Sequence, residues 1–139
     1  MLRPRANAAP RAASDQLEKL ARKEDFERVR REGARWRGKY CVLNAARAPA
    51  QADEPHGLQT RVGYITTRAI GSAVKRNRAR RLLQEAMRHL SDSIAPGWDI
   101  VLIAQPSIIA ESARMQQVQD DLLWLLNKAH LIRTAPIAK

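Results

Sequence analysis

From Ile100 to Ala104 the chain carries an unbroken apolar run rich in β-branched residues, with Asp99 before it and Pro106 after it. A strand whose side chains are apolar on both faces must lie at the centre of a sheet and be covered from both sides. The interval Asp99 to Ala104 is therefore read as a central strand, ended by a proline that cannot extend a ladder. The cover for one face is legible further on. Met115, Val118, Leu122, Leu125, Leu126, Ala129 and Ile132 recur at steps of three and four, which lines one stripe of a helix. Ser112 is placed to cap that helix, which is expected to run to about Ile132.

The remaining elements follow from the same two periods. Leu20, Phe26 and Val29 give Asp15 to Arg31 the pattern of an amphipathic helix, and Gly33 is a natural stop. Tyr40, Val42 and Leu43 mark a strand within Trp36 to Ala46. Pro49 to Gln59 reads as a surface loop. Arg61 to Thr67 is β-rich and forms a second strand. Ser72 can cap a helix reaching about Leu90, and Pro96 with Gly97 makes a turn. The order α-β-β-α-β-α describes an α+β fold, an α/β sandwich of helices packed on a small sheet. Residues 1–14 are rich in Ala, Arg and Pro without periodicity and are expected to be a disordered basic tail. A single domain is expected over 15–133, with a short tail over 134–139.

Charge decides the class of partner. Lys and Arg number 25 against 14 for Asp and Glu, a formal +11. Such an excess attracts polyanions. No apolar stretch is long enough to span a membrane. The first residues carry arginines without a following apolar segment, so they are not a secretory signal, and they resemble a transit peptide only faintly. One cysteine, Cys41, allows no internal disulfide, and His56, His89 and His130 share no metal-ligand spacing. A reducing cytoplasm fits this usage.

The cations concentrate in Gly71-Ser72-Ala73-Val74-Lys75-Arg76-Asn77-Arg78-Ala79-Arg80-Arg81. On a helix of about 100° per residue, Ala79, Leu82, Leu83, Ala86 and Leu90 face the core. Asn77, Arg81, Gln84 and Arg88 fall opposite, with Arg78 and Arg80 on the flanks. Guanidinium groups hold phosphate oxygens in pairs, and the helix N-terminus adds free N–H groups and a partial positive charge. The Asn77 amide can meet a base edge or a 2′-hydroxyl. With only Glu85 nearby to neutralise them, these cations suit an external polyanion better than an intrahelical lattice, although a solvated basic face is the plainer alternative.

At these residues the sequence resembles the bacterial ribonuclease P protein component. Three blocks carry the resemblance: Glu24-Asp25-Phe26-Glu27-Arg28-Val29 with Gly33, then Arg61-Val62-Gly63 with Arg68 following, then Gly71 to Arg81 with Arg76-Asn77-Arg78 at its core. It implies a fold like ribosomal protein S5 domain 2, with a left-handed βαβ crossover. It implies a protein subunit that binds the catalytic RNA subunit and the 5′ leader of precursor tRNA, promoting leader removal. Hydrolysis is then carried by the RNA with Mg²⁺ at its own active site; the protein holds no cofactor or metal, has no catalytic residue, and takes no small-molecule substrate. Lys75, Arg76, Asn77, Arg78, Arg80, Arg81 and Arg68 are the implied contacts to the RNA subunit. Phe26 is implied as a stacking aromatic in a leader cleft between the sheet and the first helix, with Arg30, Asn44 and Tyr64 as further lining. The chain departs from the family pattern there. Arg30 and Asn44 stand where many members carry aromatics, and Thr66-Thr67-Arg68 replaces a cationic pair.

Other readings are kept beside these. By periodicity alone Phe26 is a core aromatic. Trp36, set among Arg35, Arg37 and Lys39, is either a nucleotide platform or an edge-strand cover; Tyr40 is a further candidate platform. Trp98 and Trp124 read as packing residues, Cys41 as a small buried hydrophobe, and Asp120 and Asp121 as solvating the last helix. Asp53 and Glu54 are not a credible acid/base pair. The alternative function is a structural RNA-binding protein of ribosomal type; a self-sufficient metal nuclease lacks the paired carboxylates it would need.

Overall fold

A computed structural model describes residues 17–49 and 59–132. The expected tails, most of the loop after Pro49, and His56, Asp53 and Glu54 lie outside the described residues. The elements are β1 (Leu17–Lys19), α1 (Lys23–Glu32), β2 (Ala34–Arg37), β3 (Cys41–Arg47), β4 (Thr60–Ile65), α2 (Ala73–Leu90), β5 (Trp98–Ala104), a short α3 (Ser107–Ala110) and α4 (Met115–Lys128). One sheet has the order β1-β4-β5-β3-β2. β5 pairs parallel with β4 and antiparallel with β3. The apolar run therefore occupies the middle of the sheet, and α2 makes the crossover between the parallel neighbours β4 and β5.

Strand alternation divides the apolar residues between two layers. Leu43, Ala45, Val62, Ile100 and Leu102 point toward α2 and α4, where Leu83, Met87, Leu122, Leu125 and Leu126 complete the main core. Each fully buried leucine there contributes about 1.5–3 kcal/mol. On the other face Val101 and Ala46 pack with Val29 and Leu20 beneath α1 in a smaller cluster, with Phe26, Ile65 and Ile103 partly buried at its margin. α1 covers only part of this face, and the uncovered part becomes a groove.

Several elements differ from the sequence reading. Leu17–Lys19 is not helical; it is an edge strand parallel to β4, and α1 begins only at Lys23. The basic stretch before Tyr40 is a strand of its own, β2, paired antiparallel with β3. Ser112 caps nothing: its φ is +51° in the turn before α4. The cap comes from Gln117, whose Oε1 accepts the Arg114 N–H at 2.8 Å. Ile132 lies beyond the end of α4 and bridges to Ile94. Asp121 does more than meet solvent, since its carboxylate accepts the backbone N–H groups of Lys39 and Tyr40, both at 2.9 Å. It thereby ties the β2–β3 turn to α4. Trp98 is partly buried against the core, with the Arg47 guanidinium 5.1 Å from its ring. Trp124, by contrast, is 51% exposed with the Lys128 ammonium 5.6 Å from its ring, so it does not serve the core.

Candidate nucleic-acid interface

α2 starts where its cap places it. The Ser72 hydroxyl accepts the Lys75 N–H at 3.3 Å, and Gly71 takes a φ of +131° that only glycine adopts without strain. Ala79, Leu83, Ala86, Met87 and Leu90 bury one side of the helix. That burial fixes which cations face water. Arg76 folds back to donate to the Gly71 carbonyl at 2.7 Å. Arg80 is held between Asn77 Oδ1 at 2.9 Å and the Thr66 hydroxyl at 3.0 Å. Lys75, Arg78 and Arg81 are exposed, as is Arg68 just before the helix, and among the described residues none of these four has an ion-pair partner. Among the described residues the ion-pair contacts of the helix are those of Glu85, with Arg88 in the last turn and His89 beside it. The Arg88 hydrogen bond holds the Glu85 carboxyl below its ordinary range.

The outer side of α2 forms an open groove of about 710 Å³ lined by Val74, Asn77, Arg78, Arg81, Leu82, Gln84, Glu85 and Met115. A second groove, about 550 Å³, lies on the opposite face of the sheet beside α1. Phe26, Arg30 and Asn44 line it together with Lys23, Glu27, Arg35, Ile65, Val101 and Ile103. Phe26 reaches the sheet because β4 carries glycine beneath it: a Cβ on Gly63 would stand 2.5 Å from Phe26 Cζ. Asn44 forms part of the floor at 5% exposure, and among the described residues its buried Oδ1 has no hydrogen-bond partner.

The expected groove residues thus divide. Phe26, Arg30 and Asn44 line one groove; Tyr64 lines a neighbouring one of about 520 Å³ at the β1–β4 edge, which Phe26 shares with it and which Arg80 and Gln84 of α2 also line. Tyr64 pairs across the sheet with Leu102, which puts it on the α2 side, partly buried against the main core. Burial pushes its phenol well above the ordinary value. Trp36 and Tyr40 also pack into the main core and supply no platform in the α1 groove. Cys41 is fully buried there, and its thiol is pushed up by desolvation.

A buried ionic cluster missed by the sequence reading holds α1 in place. Asp99 has no exposed surface and accepts from Arg28 of α1 and from Arg61 of β4, the latter at 2.7 and 2.9 Å. Arg61 also reaches Asp25 at 3.4 Å. The hydrogen bonds to Asp99 raise the Arg61 pKa further. The available signal was an acid at the start of an otherwise apolar central strand, since such an acid needs cationic partners.

An α+β domain that presents an arginine-rich helix face, with a basic groove holding one aromatic on the other face of its sheet, is a small RNA-binding protein. The family description Ribonuclease P matches residues 15–130. The ribonuclease P protein component of Roseiflexus castenholzii is 39% identical over 118 residues, covering 84% of this chain and 89% of that one. The same component from Brevibacillus brevis is 32% identical, covering 86% and 88%. The solved RNase P protein from Thermotoga maritima superposes with a TM-score of 0.66 at 26% identity, over 80% of this chain and 96% of that one. The Staphylococcus aureus RNase P protein shares the fold at a TM-score of 0.67 and 22% identity, over 83% and 97%. The chain belongs to the ribonuclease P protein family and is a protein subunit of that tRNA-processing ribonucleoprotein. A separate ribosomal role is not favoured.

Proposed function

We propose that α2 binds the RNA subunit of ribonuclease P and that the α1 groove holds the 5′ leader of precursor tRNA. The observation that carries the first half is the set of exposed cations without ion-pair partners, Lys75, Arg78, Arg81 and Arg68, with Arg76 and Arg80 positioned beside them. Each phosphate they neutralise releases counterions, so binding weakens steeply with salt. The second half rests on Phe26 as a face for one unstacked base, on Arg30 at the rim, and on Asn44 in the floor. Stacking on Phe26 supplies about 1–3 kcal/mol per base.

Three of the chain's carboxylates are tied to partners within the fold. Asp99 serves two arginines, Asp121 serves two backbone amides, and Glu85 serves Arg88. Among the described residues no cluster of His, Cys, Asp or Glu fits a metal ion. We assign hydrolysis and its Mg²⁺ to the RNA subunit. The protein contributes by holding and orienting substrate, in the cytoplasm where tRNA is processed. No helix among the described residues is long and apolar enough to cross a membrane.

Reconstitution with a bacterial ribonuclease P RNA tests the reading. The holoenzyme should bind precursor tRNA with a 5′ leader more tightly than mature tRNA, and the preference should shrink when the leader is cut back. Equal affinity for the two would overturn the leader role.

A further inference from the structure

The outer groove of α2 is not built for phosphates alone. Val74 is 77% exposed although it stands among arginines on the helix face turned away from the core. Leu82 and Met115, both half-buried, extend the apolar floor from Val74 to the start of α4. Arg78 and Arg81 line the same groove without ion-pair partners, and Asn77 and Gln84 add amides. The one acid in the lining, Glu85, is held by Arg88 and His89. An A-form duplex presents phosphates, 2′-hydroxyls and a shallow minor groove, none of which covers an apolar floor between two guanidinium groups. An unstacked base does, because its face is apolar while its own backbone carries the charge the arginines need. A thioether such as Met115 also packs favourably on a ring.

We propose that the groove of Val74, Leu82 and Met115 receives a nucleobase extruded from the RNA subunit, with the flanking phosphates held by Arg78 and Arg81. This rests on the reading of α2 as the face for the RNA subunit. It adds that the contact is a bulged or looped nucleotide and not duplex backbone alone. The groove, about 710 Å³ and open to solvent, is roomy enough for a base and its sugar to enter without rearrangement of the helix.

Val74→Ala separates the possibilities. The side chain is exposed and alanine favours helix, so the variant folds as well as the native chain. Binding of the full chain to a ribonuclease P RNA, followed across salt concentrations, should weaken about fifteenfold for the loss of two methyl groups from a covered apolar contact. The slope against salt should not change, since no charge is lost. Binding to a fully paired RNA duplex should be unaltered. Chemical probing of the RNA should show one base protected by the native chain and open with the variant. Unchanged affinity for the RNA subunit, or equal weakening toward the plain duplex, overturns the base site. Arg78→Ala in the same assay tests the underlying reading. If it weakens binding and flattens the slope while Val74→Ala does neither, only the base site fails. If Arg78→Ala leaves both untouched, the assignment of α2 fails with it.

Discussion

Arginines occur in two settings in this molecule, and the contrast shows which of them are available to a ligand. Arg28 and Arg61 are turned inward and share the fully buried Asp99. Arg78 and Arg81 sit on the outer face of α2, where Glu85, the acid that lines their groove, is taken up by Arg88. The first pair satisfies an acid that the central strand has taken out of water; the second leaves positive charge for another molecule to neutralise. A net charge of +11 cannot distinguish these settings. Only the counterion inventory does.

The largest effect comes from breaking the inward set. Asp99→Ala leaves two part-buried guanidinium groups unpaired and should cost about 3–5 kcal/mol of stability in denaturant unfolding. Arg78→Ala should change stability by less than about 0.5 kcal/mol. Similar losses for both would erase the distinction between the two settings.

A smaller effect sharpens the link between packing and the α1 groove. Gly63→Ala brings a Cβ to 2.5 Å from the Phe26 ring and 2.9 Å from the Leu20 carbonyl oxygen. It should cost about 1–3 kcal/mol and displace Phe26, lowering the preference for leader-bearing precursor without altering RNA-subunit affinity. A well-folded variant with full leader preference would remove Phe26 from the site.

The smallest effect concerns Tyr64. Its phenol is raised above its ordinary 10.0 by burial. Above that pH the unfolded chain releases a proton that the folded chain keeps, so this contribution to stability is complete below pH 10 and is lost as the pH rises. Tyr64→Phe should make the alkaline decline in melting temperature shallower while leaving leader preference intact. A loss of leader preference would return Tyr64 to the groove.

Much of this was legible in the sequence where local chemistry and periodicity agree. Ser72, the glycine before it and the arginine spacing placed α2 to its last residue, and the run from Ile100 to Ala104 occupies the middle of the sheet. What escaped depends on partners distant in sequence. Leu17–Lys19 is a strand because it pairs with Thr60–Val62, and three residues carry no readable period. The roles of Asp99 and Asp121 exist only once α1 and the β2–β3 turn fold back onto them. Tyr64 stands apart from Arg30 and Asn44 for another reason. Phe26 lies over Gly63, so strict alternation along β4 sends Tyr64 to the opposite face, and that parity was available from the sequence.

The most direct test sets Phe26→Ala beside Arg78→Ala in one reconstituted system, measuring affinity for the RNA subunit and the ratio of precursor to mature tRNA binding. Arg78→Ala should weaken RNA-subunit binding and flatten its salt slope by about one unit while the ratio holds. Phe26→Ala should lower the ratio and leave RNA-subunit binding unchanged. If each variant shifts both quantities to the same extent, the two surfaces are not separate sites and the account is wrong.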